Sequence, residues 1–345
     1  MFTGAGVVLS GLRAGDEVVI DALDGAHDLD QLHQLAARHH VDRRRVAELI
    51  QLLERSHLMV SAPTSQPLDR AHLSRLGEAA RARLAPDATA WSLVHDTDGM
   101  RLAAARTHRR VVVEGVGRVG SALATTLSAA GVGAVSVVDP RAVRPGDLLP
   151  AGAGAGDVGQ GWSQVMAGAR ARLAGGPASE AARPGAPDLV VLVAQDVLDS
   201  RVGDDLVRHD VAHLGILVSA DRVVVGPLVR PGRSACLRCL DLHRRDRDPA
   251  WPHLVAQLLT RRDEPAATGE TALCTAAAGV AGLQVLAQLD GVVAPDAVGR
   301  TLELTLPHGA VRRRAWRRHP GCGCARLPGA DAGPRIGSPA RPVPG

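Results

Sequence analysis

A chain of 345 residues can hold two domains, and its apolar fraction of 46% is ample for a globular core. The formal charge of +4 is small for this length, so a nucleic-acid partner is not expected. No signal-peptide pattern opens the chain and no run approaches the roughly 18 apolar residues of a membrane span, so the expectation is a cytoplasmic protein without a membrane partner. Every one of the 40 basic residues is arginine, and asparagine is absent too. GC-rich coding explains the bias, but the chemical consequence stands: no lysine amine is available as phosphate clamp, Schiff base or general base.

Residues 1–62 read as a small separate module. One early strand candidate, Val7–Leu9, precedes helices at Asp16–Leu23, Leu29–Arg38 and Arg43–Arg55. The last follows an Asp42 N-cap and carries Val46, Leu49, Ile50 and Leu53 at helical spacing. A short strand, Leu58–Val60, leads into the break APTSQP. Three small helices and a terminal strand predict a winged helix, with a generic helical cap as the alternative. Residues 63–107 form an arginine-rich connector, helical at Ala71–Leu84 and Asp98–Arg106.

A third segment, 108–326, opens with VVVEGVGRVGSALATTLSAAGVGAVSVVD, from Val111 to Asp139. It reads as buried strand, glycine turn, apolar helix, second strand and terminal acid. Gly115 permits the tight turn, Gly117 lets backbone amides approach phosphate, and Gly120 lets helix and strand pack closely. The helix N-terminus adds partial positive charge. Asp139 stands 19 residues past Gly120, near the spacing of a carboxylate that holds a ribose hydroxyl. Together these parts predict a Rossmann-like α/β fold with a nucleotide site.

Beyond Asp139, the Gly-, Ala- and Pro-rich stretch Arg141–Pro187 carries one helix, Trp162–Leu173, and is expected to be shortened or disordered. Leu189–Val193 suits a buried parallel strand. Helix Ser200–Arg208 and strands Leu214–Val218 and Val223–Val229 follow, then helices at Leu254–Leu259 and Ala276–Leu289. Thr301–Leu306 and Ala310–Trp316 should pair across His308-Gly309. Residues 327–345 are expected to be a disordered tail.

Four of the five cysteines form two close pairs, Cys236-Leu-Arg-Cys239 and Cys322-Gly-Cys324. Each can aim two thiolates at one metal from a tight turn, and together they offer the four soft ligands of a tetrahedral structural zinc. A disulfide or redox use is the alternative, but bridging a CxC is strained and a redox CxxC leaves the second pair unexplained. His243 and His319 are spare ligands, read as surface histidines. Cys274 opens an apolar helix and reads as a small packed residue, with a lowered-pKa nucleophile as the other possibility.

The glycine loop with Asp139, followed late by the CxxC and CxC pairs, resembles the ubiquitin-activating-like superfamily of ThiF, MoeB and HesA. The resemblance spans Thr107 to Arg326, and LVVLVAQD looks like the superfamily's apolar strand ending in a metal-associated aspartate, here Asp196. It implies a ThiF-type, mostly parallel sheet with a zinc-bearing C-terminal part, and a homodimer. It also implies ATP and Mg2+ bound at Gly115, Gly117, Gly120 and Asp139, with Asp196 as the catalytic candidate in forming an acyl-adenylate on a C-terminal carboxylate. The stretch VVGPLVRPGRSACLRCLDLHRRDRDPAWP is similar to a narrower branch, proteins of azole- and azoline-forming (TOMM) peptide cyclodehydratase pathways. There a PqqD-like winged helix binds the leader of a precursor peptide and a YcaO-type partner performs the cyclisation.

The chain also departs from that pattern. The activating element of ThiF and MoeB, Asn-x-x-Arg followed by a lysine, is replaced by Asp147-Leu148-Leu149-Pro150 and Asp157-Val158-Gly159-Gln160. A carboxylate at 147 is expected to repel a triphosphate unless Arg118 or Arg144 compensates. The single early strand implies a short start or a reduced peptide-binding module. Two readings follow: a leader-peptide recognition subunit with a degenerate adenylation site, or a working adenylyltransferase. A winged-helix nucleic-acid binder would have to use Arg43–Arg45 and Arg312–Arg314 with Arg317 and Arg318, which read as solvated faces with few aromatics for stacking. An NAD-dependent dehydrogenase would suit Asp139, but no His/Arg/Asp set follows.

Overall fold

Valine-rich runs with few charges build the centre of the protein in the computed structural model, which describes residues 8–23, 27–56, 58–59, 76–95, 98–174, 186–260 and 269–326. Seven strands form one sheet: β1 (Arg110–Glu114), β2 (Ala134–Val138), β3 (Leu189–Gln195), β4 (His213–Val218), β5 (Arg222–Val229), β6 (Arg300–Thr305) and β7 (Val311–Ala315). Their order is β2-β1-β3-β4-β5-β6-β7. Pairing is parallel from β2 to β4 and antiparallel from β4 to β7, so a parallel α/β half is extended by an antiparallel meander. Chain contacts divide the protein into two units, Met1–Ala105 and Arg106–Gly345.

The first unit contains α1 (Asp16–Asp21), α2 (Leu29–Arg38), α3 (Arg43–Arg55), α4 (Glu78–His95) and α5, Gly99–Arg106, which ends at the boundary. Asp28 caps α2 through a reciprocal pair with Gln31, and Asp42 caps α3 by accepting from the Arg45 amide. Val19, Leu32, Ala36, Val46 and Leu49 bury the shared apolar face. Buried Asp16 accepts from Arg45 at 2.7 Å and so joins α1 to α3. Two short strands were expected to flank these helices, and neither forms among the described residues. Val8, Leu9, Leu58 and Met59 form no strand, while Val7 and Val60 lie outside the described residues. Val8 and Leu58 are exposed, and no strand among the described residues pairs with either.

In the second unit, α6 (Gly117–Ala129) and α7 (Trp162–Ala174) follow β1 and β2. Then come α8 (Ser200–Arg208), α9 (Leu237–Arg247), α10 (Trp251–Thr260) and α11 (Thr271–Asp290). Strand alternation sends Val113 and Val193 toward α6, and Val190 and Leu192 into the cluster holding Leu237 of α9. Helix α11 has the length and apolarity of a membrane span, a run the sequence reading passed over. Leu273, Ala277, Ala278, Ala281, Val285 and Leu289 are buried, and Gly282 of α11 faces Thr126 and Leu123 of α6. It is the core helix of this unit.

Residues 140–161 correct the expectation of disorder. Val143 donates to the Gln160 carbonyl and Gly159 to the Val143 carbonyl, both at 2.9 Å, around short 3-10 turns at Pro145–Asp147 and Ala155–Asp157. Glycine and proline supply turns here that need no strand partner. Residues 175–185 and 327–345, including the expected tail, lie outside the described residues.

Two buried polar groups set this unit's sensitivities. Arg106 makes a two-pronged contact with Asp290, Nε at 2.8 Å and NH2 at 2.6 Å, with both side chains 1% exposed. On β4, His213 is fully buried; its Nδ1–H donates to the Val211 carbonyl, and Nε2 has no partner among the described residues. Burial holds the His213 pKa down to about 4. Because the unfolded chain takes up this proton near pH 6.5, the contribution is full above that pH. It is lost as pH falls toward about 4, by up to about 3 kcal/mol. Urea midpoints between about pH 7.5 and 5 should therefore fall less steeply in His213→Phe than in wild type. Equal slopes would rule out this role.

Candidate functional site

The chain leaves β1 for β2 on one side and later returns to β3 on the other, so the carboxyl ends of β1 and β3 flank a topological switch point, where α/β sheets hold ligands. Gly115 has φ +76°, and a Cβ there would lie 2.1 Å from the Val193 carbonyl oxygen, so only glycine fits. At Gly117, φ +47°, an added Cβ would meet nothing within 4 Å. The first turn of α6 thus faces open space, and its N-cap residue, Val116, makes no side-chain cap. A Cβ at Gly120 would stand 3.1 Å from the Gly115 carbonyl and 3.3 Å from Val113 Cγ1. This is a phosphate-shaped helix terminus.

Its surroundings are internally occupied. Asp139, its side chain 1% exposed, accepts from the Val116 amide at 2.8 Å, from the Arg141 amide and Nε at 3.0 Å each, and from Arg141 NH2 at 2.8 Å. A carboxylate has about four acceptor positions, and all are used. Burial pushes this carboxyl up, but the Arg141 and Val116 hydrogen bonds outweigh it and hold the pKa below the usual value. A ribose hydroxyl would have to displace Arg141.

The loop that carries Asp147 and Asp157 is also closed on itself. Asp147 is buried and accepts from Arg144, at 3.0 Å from the amide and 3.3 Å from Nε. It therefore does not stand as a bare charge against phosphate, as expected from its type, and Arg144 is committed to it. Asp157 accepts from the Gly154 amide. Arg118 follows the second glycine and donates to the Gly269 carbonyl at 2.8 Å and to Thr271 Oγ1 at 3.3 Å.

Asp196 directly follows β3, exposed and in left-handed backbone at φ +55°, and accepts from Ser219 Oγ at 2.9 Å. Such backbone in a non-glycine residue at a switch point marks a functional candidate. Sequence reading passed over Ser219 and Arg141. Arg141 had a local signal, since an arginine two residues after an aspartate can fold back onto it. Cys274 is buried and its thiol is pushed up to about 11 by burial, so it is no activated nucleophile.

A second centre lies at the far half of the sheet. Cys236 is the N-cap of α9 and Cys239 lies in its first turn; Cys322 and Cys324 arrive on the turn after β7. The four sulfurs lie within 4.8 Å of one another, all buried, with Sγ separations of 3.7 Å (236–239), 3.6 Å (236–322) and 3.4 Å (239–324). Sulfurs about 2.3 Å from a tetrahedral zinc stand about 3.8 Å apart, so the donor set fits that ion. Hydrogen bonding among the thiols pulls Cys239 below its ordinary value and pushes Cys236 above it. The thiols therefore resist ionising together, a conflict that a coordinating dication removes. The Cys239 sulfur also accepts from the His319 amide at 3.3 Å.

Neither spare histidine is needed as a ligand. His319 is buried rather than on the surface; Nε2 meets Asp246 at 2.7 Å and Nδ1 accepts from the Gly321 amide at 3.0 Å. His243 Nε2 lies 2.9 Å from the Arg317 carbonyl.

No protein-family model matches the chain, and no curated protein matches it in sequence. Solved structures do match in shape. E. coli MccB with ATP superposes at TM-score 0.58 and 14% identity, over 94% of each chain. The microcin C7 biosynthetic enzyme MccB in complex with N-formylated MccA gives 0.57 and 14%, over 89% of this chain and 90% of that one. PaaA gives 0.57 and 13%, over 92% and 94%. At such identities the likeness speaks for architecture alone, and by architecture this chain has a ThiF/MoeB-like fold.

Proposed function

We propose that this chain recognises a precursor peptide on a ThiF-like scaffold whose adenylation site has degenerated. It presents the leader-bearing peptide to a YcaO-type partner that forms azole or azoline rings. One observation carries the reading: Asp139, the residue that would hold a ribose, is saturated by Arg141 and the Val116 amide. The pairing of Arg144 with Asp147 and the absence of lysine and asparagine point the same way. A peptide partner is supported by the neighbours, several of which carry MccA. The first unit, with its run of small helices, is the proposed PqqD-like leader-binding module, and the four cysteines are the proposed ligands of a structural zinc.

An active adenylyltransferase is the second reading, favoured by exposed Asp196 in strained backbone and by neighbours solved with ATP. ATP–pyrophosphate exchange, with and without candidate peptide, separates the two. Recognition alone predicts background exchange in both wild type and Asp196→Ala. Robust exchange abolished by the substitution would overturn it in favour of adenylation.

A further inference from the structure

The sheet has two outer strands. On β2, Arg170 donates to the Val135 carbonyl at 3.1 Å and α7 packs against the strand, so that edge is partly engaged. On β7 all five residues are exposed, and no strand among the described residues pairs with its outer side. The Trp316 amide donates inward to the Gly299 carbonyl at 2.8 Å. By antiparallel alternation the amides of Arg312 and Arg314 also point at β6, while those of Val311, Arg313 and Ala315 point outward. An unpaired row of N–H and C=O groups is a template for another strand.

Charge selects which strand. On the face of Arg312 and Arg314 stands Trp316, largely buried. The guanidinium carbons of Arg314, Arg244 and Arg247 lie 4.4, 5.8 and 5.9 Å from its ring centre. Two carboxylates answer these arginines: Asp241, 3.6 Å from Arg244, and Glu303, directly across from Arg312. Burial pushes the Arg244 guanidinium below its ordinary value, and the charge of Arg314 adds to the effect. Scattered charge would be enough to keep an edge from self-association; a ring of guanidiniums around a tryptophan goes further.

We propose that β7 is a docking edge for an extended acidic segment, which adds as an eighth strand and sets its carboxylates against Arg312, Arg314, Arg244 and Arg247. The proposal rests on the reading of a peptide partner. Nucleic acid fits less well, since phosphates offer no donor to the outward strand carbonyls, and one phenylalanine and four tryptophans leave few stacking platforms.

The test uses the full chain and a synthetic peptide of about ten alternating glutamates and threonines, with a glutamine-for-glutamate control and an RNA oligonucleotide of equal charge. Hydrogen exchange at Val311, Arg313 and Ala315 should slow with the acidic peptide. Both the control peptide and Arg312→Glu should weaken binding about tenfold or more. Ala315→Pro keeps every arginine but removes an outward amide. It should abolish the protection without changing the unfolding temperature. Binding unmoved by Arg312→Glu, or a preference for RNA, would overturn the proposal. Peptide bound with β7 unprotected would also overturn it while leaving the peptide-partner reading intact. Robust pyrophosphate exchange would sink the recognition reading without bearing on the edge.

Discussion

Cys239→Ser is expected to strip the metal from the protein and lower its unfolding temperature by roughly 10 °C or more. The sulfurs stand in an apolar cluster with Val229, Leu240 and Trp316, so the centre joins the start of α9 to the chain leaving β7. Cys236 and Cys322 are 86 residues apart in sequence, a long loop for the unfolded chain to close unaided. Metal binding in such a site is folding free energy, on the order of 10 kcal/mol in small zinc domains. Replacing one thiolate leaves three ligands and a buried hydroxyl. Metal analysis of purified wild type should return one zinc per chain, and the variant should return much less. A wild-type protein free of metal, with a melting curve indifferent to chelator, would refute the assignment.

Arg106→Ala should be the most destabilising arginine substitution in the second unit, costing about 3–5 kcal/mol. The two-pronged Arg106–Asp290 pair is 1% exposed at both ends, and NH1 also donates to the Ala130 carbonyl at 3.2 Å. Removing the guanidinium strands a carboxylate in the interior, a larger penalty than losing the pair as a whole. Arg106→Met with Asp290→Leu should therefore recover most of the loss, because two apolar side chains leave no orphan charge. Denaturant midpoints of the single and double variants measure this. A single variant as stable as wild type, or a double variant worse than the single, would contradict it. Exposed pairs such as Arg201–Asp199 and Arg44–Glu48 should matter far less.

Much of the architecture was legible because it rests on local signals. Val111–Asp139 reads as strand, turn, helix, strand because apolar runs, glycines and a terminal acid follow one another at the spacing such a unit requires. Asp42 marked the start of α3 through a contact three residues away. The pairing of Cys236 and Cys239 with Cys322 and Cys324 was legible because soft donors at CxxC and CxC spacing have few other uses. The strands expected at Val7–Leu9 and Leu58–Val60 were the weak point. Three apolar residues carry no information about a partner strand, and strand identity depends on the ladder.

The sequence by itself determined which groups this protein can use: glycines at a β1–α6 turn, an aspartate at each of two strand ends, four paired thiols, and no lysine. These are properties of residue type and short spacing. Only the tertiary structure decided which of those groups remain available. Arg106 closes on Asp290 across 184 residues, and the fold buries Asp139 and Asp147 so that their neighbours Arg141 and Arg144 fill their acceptor positions. It also left β7 with no strand among the described residues on its outer side. A carboxylate's availability depends on whether its few acceptor positions are already filled, and a strand's depends on what lies beside it. Both are settled by packing at ångström range, which a linear pattern does not encode.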